Sequence, residues 1–121
     1  MKMGRRYKAY AGITGVTYQY FFAARRRVTR PEGLGPGSDY TFAVTADQHP
    51  PFSLQVFVSD RALETWRETH GRALDANEQY AAAKMRLFRA FDECERLVDE
   101  RLNLLVDEAN IGELLEQVDL A

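Results

Sequence analysis

The period of the apolar residues changes once along this chain, and that change limits the fold more than any other feature. Up to Val58, apolar side chains recur at every second position, and from Ala62 onward they recur at steps of three and four. A period of two marks a strand with one buried face, and a period near 3.6 marks a helix with one buried stripe. The expected class is therefore α+β: an antiparallel β-meander of three to four strands, followed by two to three C-terminal helices packed on one face of the sheet.

Residues 16–28 are dense in aromatic and β-branched side chains, with Tyr18, Tyr20 and Phe22 sharing one face, which predicts a strand. Residues 6–13 also read as extended, and Gly12 and Gly15 allow either a turn between two strands or a bend within one. Pro31–Ser38 is crowded with glycine and proline and reads as a loop. Residues 40–46 alternate Tyr40, Phe42 and Val44 against Thr41, Ala43 and Thr45. After the breaker at 47–51, Phe52, Leu54, Val56 and Val58 alternate with Ser53, Gln55 and Phe57.

Ser59-Asp60 supplies a helix cap and Gly71 a stop, giving a helix over about 60–71. Asp75 with Glu78 three residues on is a second start signal. From Tyr80 a stripe continues through Ala83, Leu87, Phe91, Cys94, Val98, Leu102 and Leu105 to Ala109, and Lys84 falls within it. A single helix over 76–109 would be about 50 Å long, whereas a domain of this size is roughly 35 Å across. The stripe therefore implies either a break near 92–96 or a protruding end that needs a partner. Ala90, Leu97 and Leu104 form a second apolar flank seven residues apart, which suggests self-association. The tail predicts a short helix over 111–120 carrying Ile111, Leu114, Leu115 and Val118.

At 121 residues the chain suits a single domain over 1–121 with a core of its own. Its one cysteine, Cys94, excludes an intrachain disulfide and a thiol pair for zinc, and its place on the stripe reads as inert core. No apolar run approaches the roughly 20 residues of a membrane span, and none resembles a leader. The expectation is a cytoplasmic protein, and the excess of arginine over lysine, thirteen to three, hints at a bacterial genome.

The net charge of −2 conceals a strong polarity. Residues 1–38 hold eight Lys or Arg against one acid, Glu32, and residues 39–121 hold eight against seventeen. The basic part contains Arg25, Arg26, Arg27 and Arg30, with Arg5, Arg6 and Lys8 upstream and the aromatic residues Tyr18, Tyr20, Phe21 and Phe22 nearby. Arginines beside exposed aromatic rings would bind single-stranded nucleic acid. The alternative is that the arginines pair with acidic helices while the tyrosines pack beneath Leu87 and Phe91.

Chemistry-bearing patterns are sparse. The loop Gly33-Leu-Gly-Pro-Gly-Ser38 is followed by a strand and has no lysine, whereas a phosphate cradle needs a helix start. His49 and His70 stand without carboxylates at ligand spacing, and the acids from Asp92 onward suit solvated helix faces. No catalytic constellation, metal site or cofactor is expected. The sequence points first to a non-catalytic module that binds a protein partner or itself through its C-terminal helices. Nucleic-acid binding through the arginine cluster comes second, and a small-molecule cleft between sheet and helices third.

Overall fold

A computed structural model describes residues 7–46, 50–94 and 96–118. Five strands form one sheet in the order β1-β2-β3-β4-β5: β1 (Lys8–Ala11), β2 (Thr17–Arg30), β3 (Gly35–Ala46), β4 (Phe52–Ser59) and β5 (Leu104–Val106). The first four make an antiparallel meander, and β5 joins β4 in parallel. Three helices, α1 (Asp60–His70), α2 (Ala76–Glu93) and α3 (Ile111–Glu116), complete an α+β fold. One core unites the inward faces of both layers: Tyr18, Tyr20, Phe42, Val44, Leu54 and Val56 from the sheet, with Trp66, Leu87, Phe91 and Leu114 from the helices.

The local signals at the helix ends are realised as side-chain caps. Ser59 Oγ accepts from the Ala62 amide, and Gly71 ends α1 in the left-handed region at φ 77°. Asp75 and Glu78 form a reciprocal capping box, each carboxylate accepting from the other's backbone amide.

The structure corrects the sequence reading at the β2–β3 connection, at Gly37 and at the end of the terminal helix. The hairpin connecting β2 and β3 is only Pro31–Leu34, because pairing continues to Arg30 opposite Gly35. Gly37 is a close-packing residue rather than a loop breaker: a Cβ there would lie 2.5 Å from the Val58 carbonyl oxygen and 2.6 Å from the Phe57 ring. The long apolar stripe is divided near 92–96, one of the two arrangements its length allowed. Helix α2 ends at Glu93, Cys94 turns extended at φ −95° and ψ 124°, a 3₁₀ turn spans Leu97–Glu100, and the chain re-enters the sheet as β5. The terminal helix α3 stops at Glu116 rather than near 120.

The flank proposed for self-association is therefore not a surface. Ala90, Leu97 and Leu104 lie on three different elements and are 0%, 5% and 1% exposed. All three are drawn into the monomer's own core, since apolar spacing of three and four is also met when a chain leaves a helix and returns to the same core. Among the described residues no helix is long and apolar enough to cross a membrane.

A candidate arginine-lined sheet edge

Strand β2 is much longer than its outer neighbour. β1 pairs with Thr17–Tyr20 alone, so from Ala24 to Arg30 the outer edge of β2 has no strand beside it among the described residues. Its inner edge is fully paired with β3 as far as Gly35, which holds the overhang in extended form.

A register irregularity between Phe22 and Ala24 decides where the arginines point. Uninterrupted alternation from Tyr18 would send Arg26 toward the helices. The extra residue of a bulge reverses the phase. Arg25 then stands opposite Tyr40 and Arg27 opposite Ser38, both on the helix side, while Arg26 stands opposite Asp39 on the other face.

The four arginines consequently have different duties. Arg27 grips Asp60 with both terminal nitrogens, at 2.8 and 2.6 Å, and also donates to Ser38 Oγ at 3.2 Å. Hydrogen bonding to Arg27 holds the Asp60 carboxyl below its usual value and raises the guanidinium in return. Arg30 donates to Asp39 and to the Leu102 carbonyl, each at 2.8 Å, and lies 4.9 Å over the Phe57 ring. With side chains 16% and 7% exposed, the Arg30–Asp39 pair is largely withdrawn from solvent. It ties β2, β3 and the segment before β5 together. Arg25 lies 5.8 Å over Tyr40 and hydrogen-bonds its hydroxyl. That contact opposes burial, which nonetheless raises the phenol above its usual value.

Arg26 is exposed, and neither it nor Arg25 has an ion pair among the described residues. The carboxylate facing Arg26 across the ladder is already engaged by Arg30.

The two tyrosines of the proposed stacking platform are withdrawn from the surface. Tyr18 and Tyr20 are 8% and 3% exposed. Tyr18 stacks on Phe91 at 4.3 Å and Tyr20 meets Phe88 edge-on at 5.5 Å, so their faces are spent on the core. What borders the arginines is Phe22, 38% exposed and packed edge-on against Tyr80. Lys84 lies over the Tyr80 and Phe88 rings, and burial together with the neighbouring Lys8 charge lowers its amine below the usual value. Lys8 and Lys84 thus extend the positive rim beyond the arginine run. Sequence reasoning had Lys84 only as a misfit in the stripe; its spacing of four from Tyr80 and Phe88 was the available signal.

Other chemistry-bearing residues do not converge. His49, Arg5 and Arg6 lie outside the described residues. His70 stacks on Trp66 at 4.0 Å near the end of α1. Cys94 is half-buried, and burial raises its thiol. No group of three His, Cys, Asp or Glu side chains among the described residues is placed to hold a metal ion. A depression lined by Gly33, Leu34, Phe57, Arg61 and Asp107 has a volume of about 30 Å³, room for roughly one water and far below the several hundred Å³ of a small-molecule site. Comparison with protein-family models, with curated proteins and with solved structures gives no match.

Proposed function

We propose that this chain is a non-catalytic interaction module that binds an anionic protein partner along the outer edge of β2. The observation that carries this reading is the adjacent exposed pair Arg25 and Arg26 on β2, neither of which forms an ion pair among the described residues. Arg27 and Arg30 are consumed by Asp60 and Asp39 and serve the fold. Uncompensated charge on a surface raises the association rate of an oppositely charged partner and is sensitive to salt. The net charge of −2 makes this basic rim a local feature, which disfavours indiscriminate polyanion binding.

The test is binding of fluorescein-labelled polyglutamate to the wild-type chain and to the R25Q/R26Q double variant at low and moderate salt. The wild type should bind in a salt-sensitive manner, and the variant should lose about tenfold in affinity while its melting temperature stays within about 2 °C, because both side chains are solvent-facing. Equal binding by the two proteins would overturn the proposal. A single-stranded oligonucleotide bound more tightly than polyglutamate would retain the basic edge as the site and replace the protein partner by nucleic acid.

A further inference from the structure

We infer that Lys84 is a carbon dioxide acceptor, its amine forming a carbamate whose negative charge is met by Lys8. The site lies between β1 and α2 and uses neither Arg25 nor Arg26.

Two lysines are set side by side along the seam where β1 meets α2. Tyr10 stacks on Phe88 at 4.3 Å and donates its hydroxyl hydrogen to Asp92 Oδ2 at 2.8 Å, while Asp92 Oδ1 accepts from the Ile13 amide at 3.0 Å. Strand and helix therefore run in the same direction along this seam. Lys8 precedes Tyr10 by two strand positions, about 6.6 Å at 3.3 Å per residue. Lys84 precedes Phe88 by one helical turn of four residues, about 6 Å. The two steps nearly coincide, and each keeps its lysine on the face of its aromatic neighbour. The Lys8 charge accordingly bears on the Lys84 amine.

The surroundings of Lys84 disfavour a lasting ammonium. Its Nζ lies 5.9 Å from the centre of the Tyr80 ring and 5.8 Å from that of Phe88, near the outer limit of about 6 Å at which a ring face attracts a cation. The side chain is half-buried, and burial first, then the Lys8 charge, lowers the amine below its usual value. No carboxylate offsets them. Neither lysine has an ion pair among the described residues, residues 1–6 include no acid, and Asp92 is held at the far end of the seam by Tyr10 and Ile13. The other titratable groups there, Tyr10, Tyr20 and Tyr80, are phenols whose ionisation burial opposes. A lysine desolvated beside a second cation is the arrangement that presents a free amine as nucleophile.

Lys8 selects the electrophile. Condensation with an aldehyde, which releases water, would leave an imine without negative charge and give the neighbouring ammonium nothing to attract. With carbon dioxide the Lys84 lone pair forms the N–C bond, one C=O electron pair shifts onto oxygen, and a nitrogen proton passes to solvent. The sum is R–NH2 + CO2 giving R–NH–COO− + H+. A pair of like charges becomes a pair of opposite charges, and the attraction is stronger beside apolar ring walls than in open water. Carbon dioxide is also small and linear, which suits an amine half-covered by two rings.

The test equilibrates the full chain with isotopically labelled bicarbonate and carbon dioxide at neutral pH, ethylates any carbamate with a trialkyloxonium salt, and locates the product by peptide mass spectrometry. The chain's other lysines, Lys2 and Lys8, serve as internal references. Lys84 should carry the trapped carbamate about tenfold more often than Lys2, because the desolvated amine is the one left unprotonated. Lys84→Arg should abolish that product. Lys8→Gln should lower it about fivefold and Lys8→Arg should restore it, with thermal unfolding unchanged in both because Lys8 is exposed. Labelling of Lys84 no greater than that of Lys2 would overturn the inference, as would a Lys84 product that Lys8→Gln leaves unchanged. Selective acetylation of Lys84 by acetic anhydride with no trapped carbamate would reveal a free amine that does not take carbon dioxide, and would overturn it as well.

Discussion

Replacing Gly37 by alanine should be among the more damaging small changes available to this protein. The new methyl would lie 2.5 Å from the Val58 carbonyl oxygen and 2.6 Å from two carbons of the Phe57 ring. The carbonyl belongs to a central strand and cannot move without disturbing the β3–β4 ladder. The ring is fully buried beneath the Arg30 guanidinium, so displacing it also loosens the Arg30–Asp39 pair. Overpacking of this kind costs about 1–3 kcal/mol, and the rigid carbonyl places the expectation near 2 kcal/mol. For a chain of 121 residues, an unfolding entropy of about 2.1 cal/mol/K per residue converts 2 kcal/mol into a fall in Tm of about 8 °C. Thermal unfolding followed by circular dichroism measures it directly. In a Phe57→Ala background the same substitution should cost less, because half of the clash has been removed, and the difference is a coupling energy between the two sites. A G37A protein melting within about 1 °C of wild type would refute the close-packing argument for this glycine.

Three further outcomes follow from the same structure. Leu104→Ala should lower unfolding free energy by about 2–5 kcal/mol in urea titrations, as expected for a fully buried leucine that is 1% exposed; an unchanged stability with a reduced sedimenting mass would restore it to a subunit interface. Asp39→Asn should destabilise by about 3 kcal/mol, because it deprives Arg30 of its charge partner in a site largely shielded from water, and chemical denaturation at neutral pH reads the loss. The Arg72 guanidinium and the Asp75 amide hold the Glu78 carboxyl down at about 2 from an ordinary 4.5. A carboxylate with a depressed folded-state value contributes stability that is present above pH 4.5 and lost as pH falls toward 2; Glu78→Gln should therefore flatten the acid limb of the stability curve in that window, and an unaltered limb would count against the pair.

Features governed by neighbouring residues were legible in the sequence. The caps at Ser59 and Asp75, the stop at Gly71 and the alternation in β3 and β4 each depend on chemistry within a few positions, and each was found where the letters placed it. Features governed by distant partners were not. β5 is a strand only because Val56–Val58 offers it a parallel edge nearly fifty residues back, and Leu104 and Leu105 fit a helical stripe equally well by spacing. The bulge at Phe22/Ala24 was hidden because Ala23 and Ala24 carry no polarity that could reveal a change of phase, yet it determines which face each arginine takes. Glycines at 33, 35 and 37 were read together as loop signals, although Gly33 and Gly35 adopt positive φ while Gly37 serves ring packing. As for the site, the arginine cluster was visible as charge. Its division into Arg27 and Arg30, which brace the fold, and Arg25 and Arg26, which do not, required Asp60 and Asp39 to be placed in space.

The parallel placement of β5 also orders the chain's maturation in time. β1 to β4 pair between successive segments, so they can assemble while synthesis continues. The flank of β4 at Val56–Val58 stays uncovered until Leu104–Val106 has emerged and the two intervening helices have swung back across the sheet. During that interval the nascent protein displays a raw strand edge composed of Val-Phe-Val. A chain arrested or truncated before residue 104 would keep that edge permanently, and coaggregation of such fragments is the form its misfolding should take.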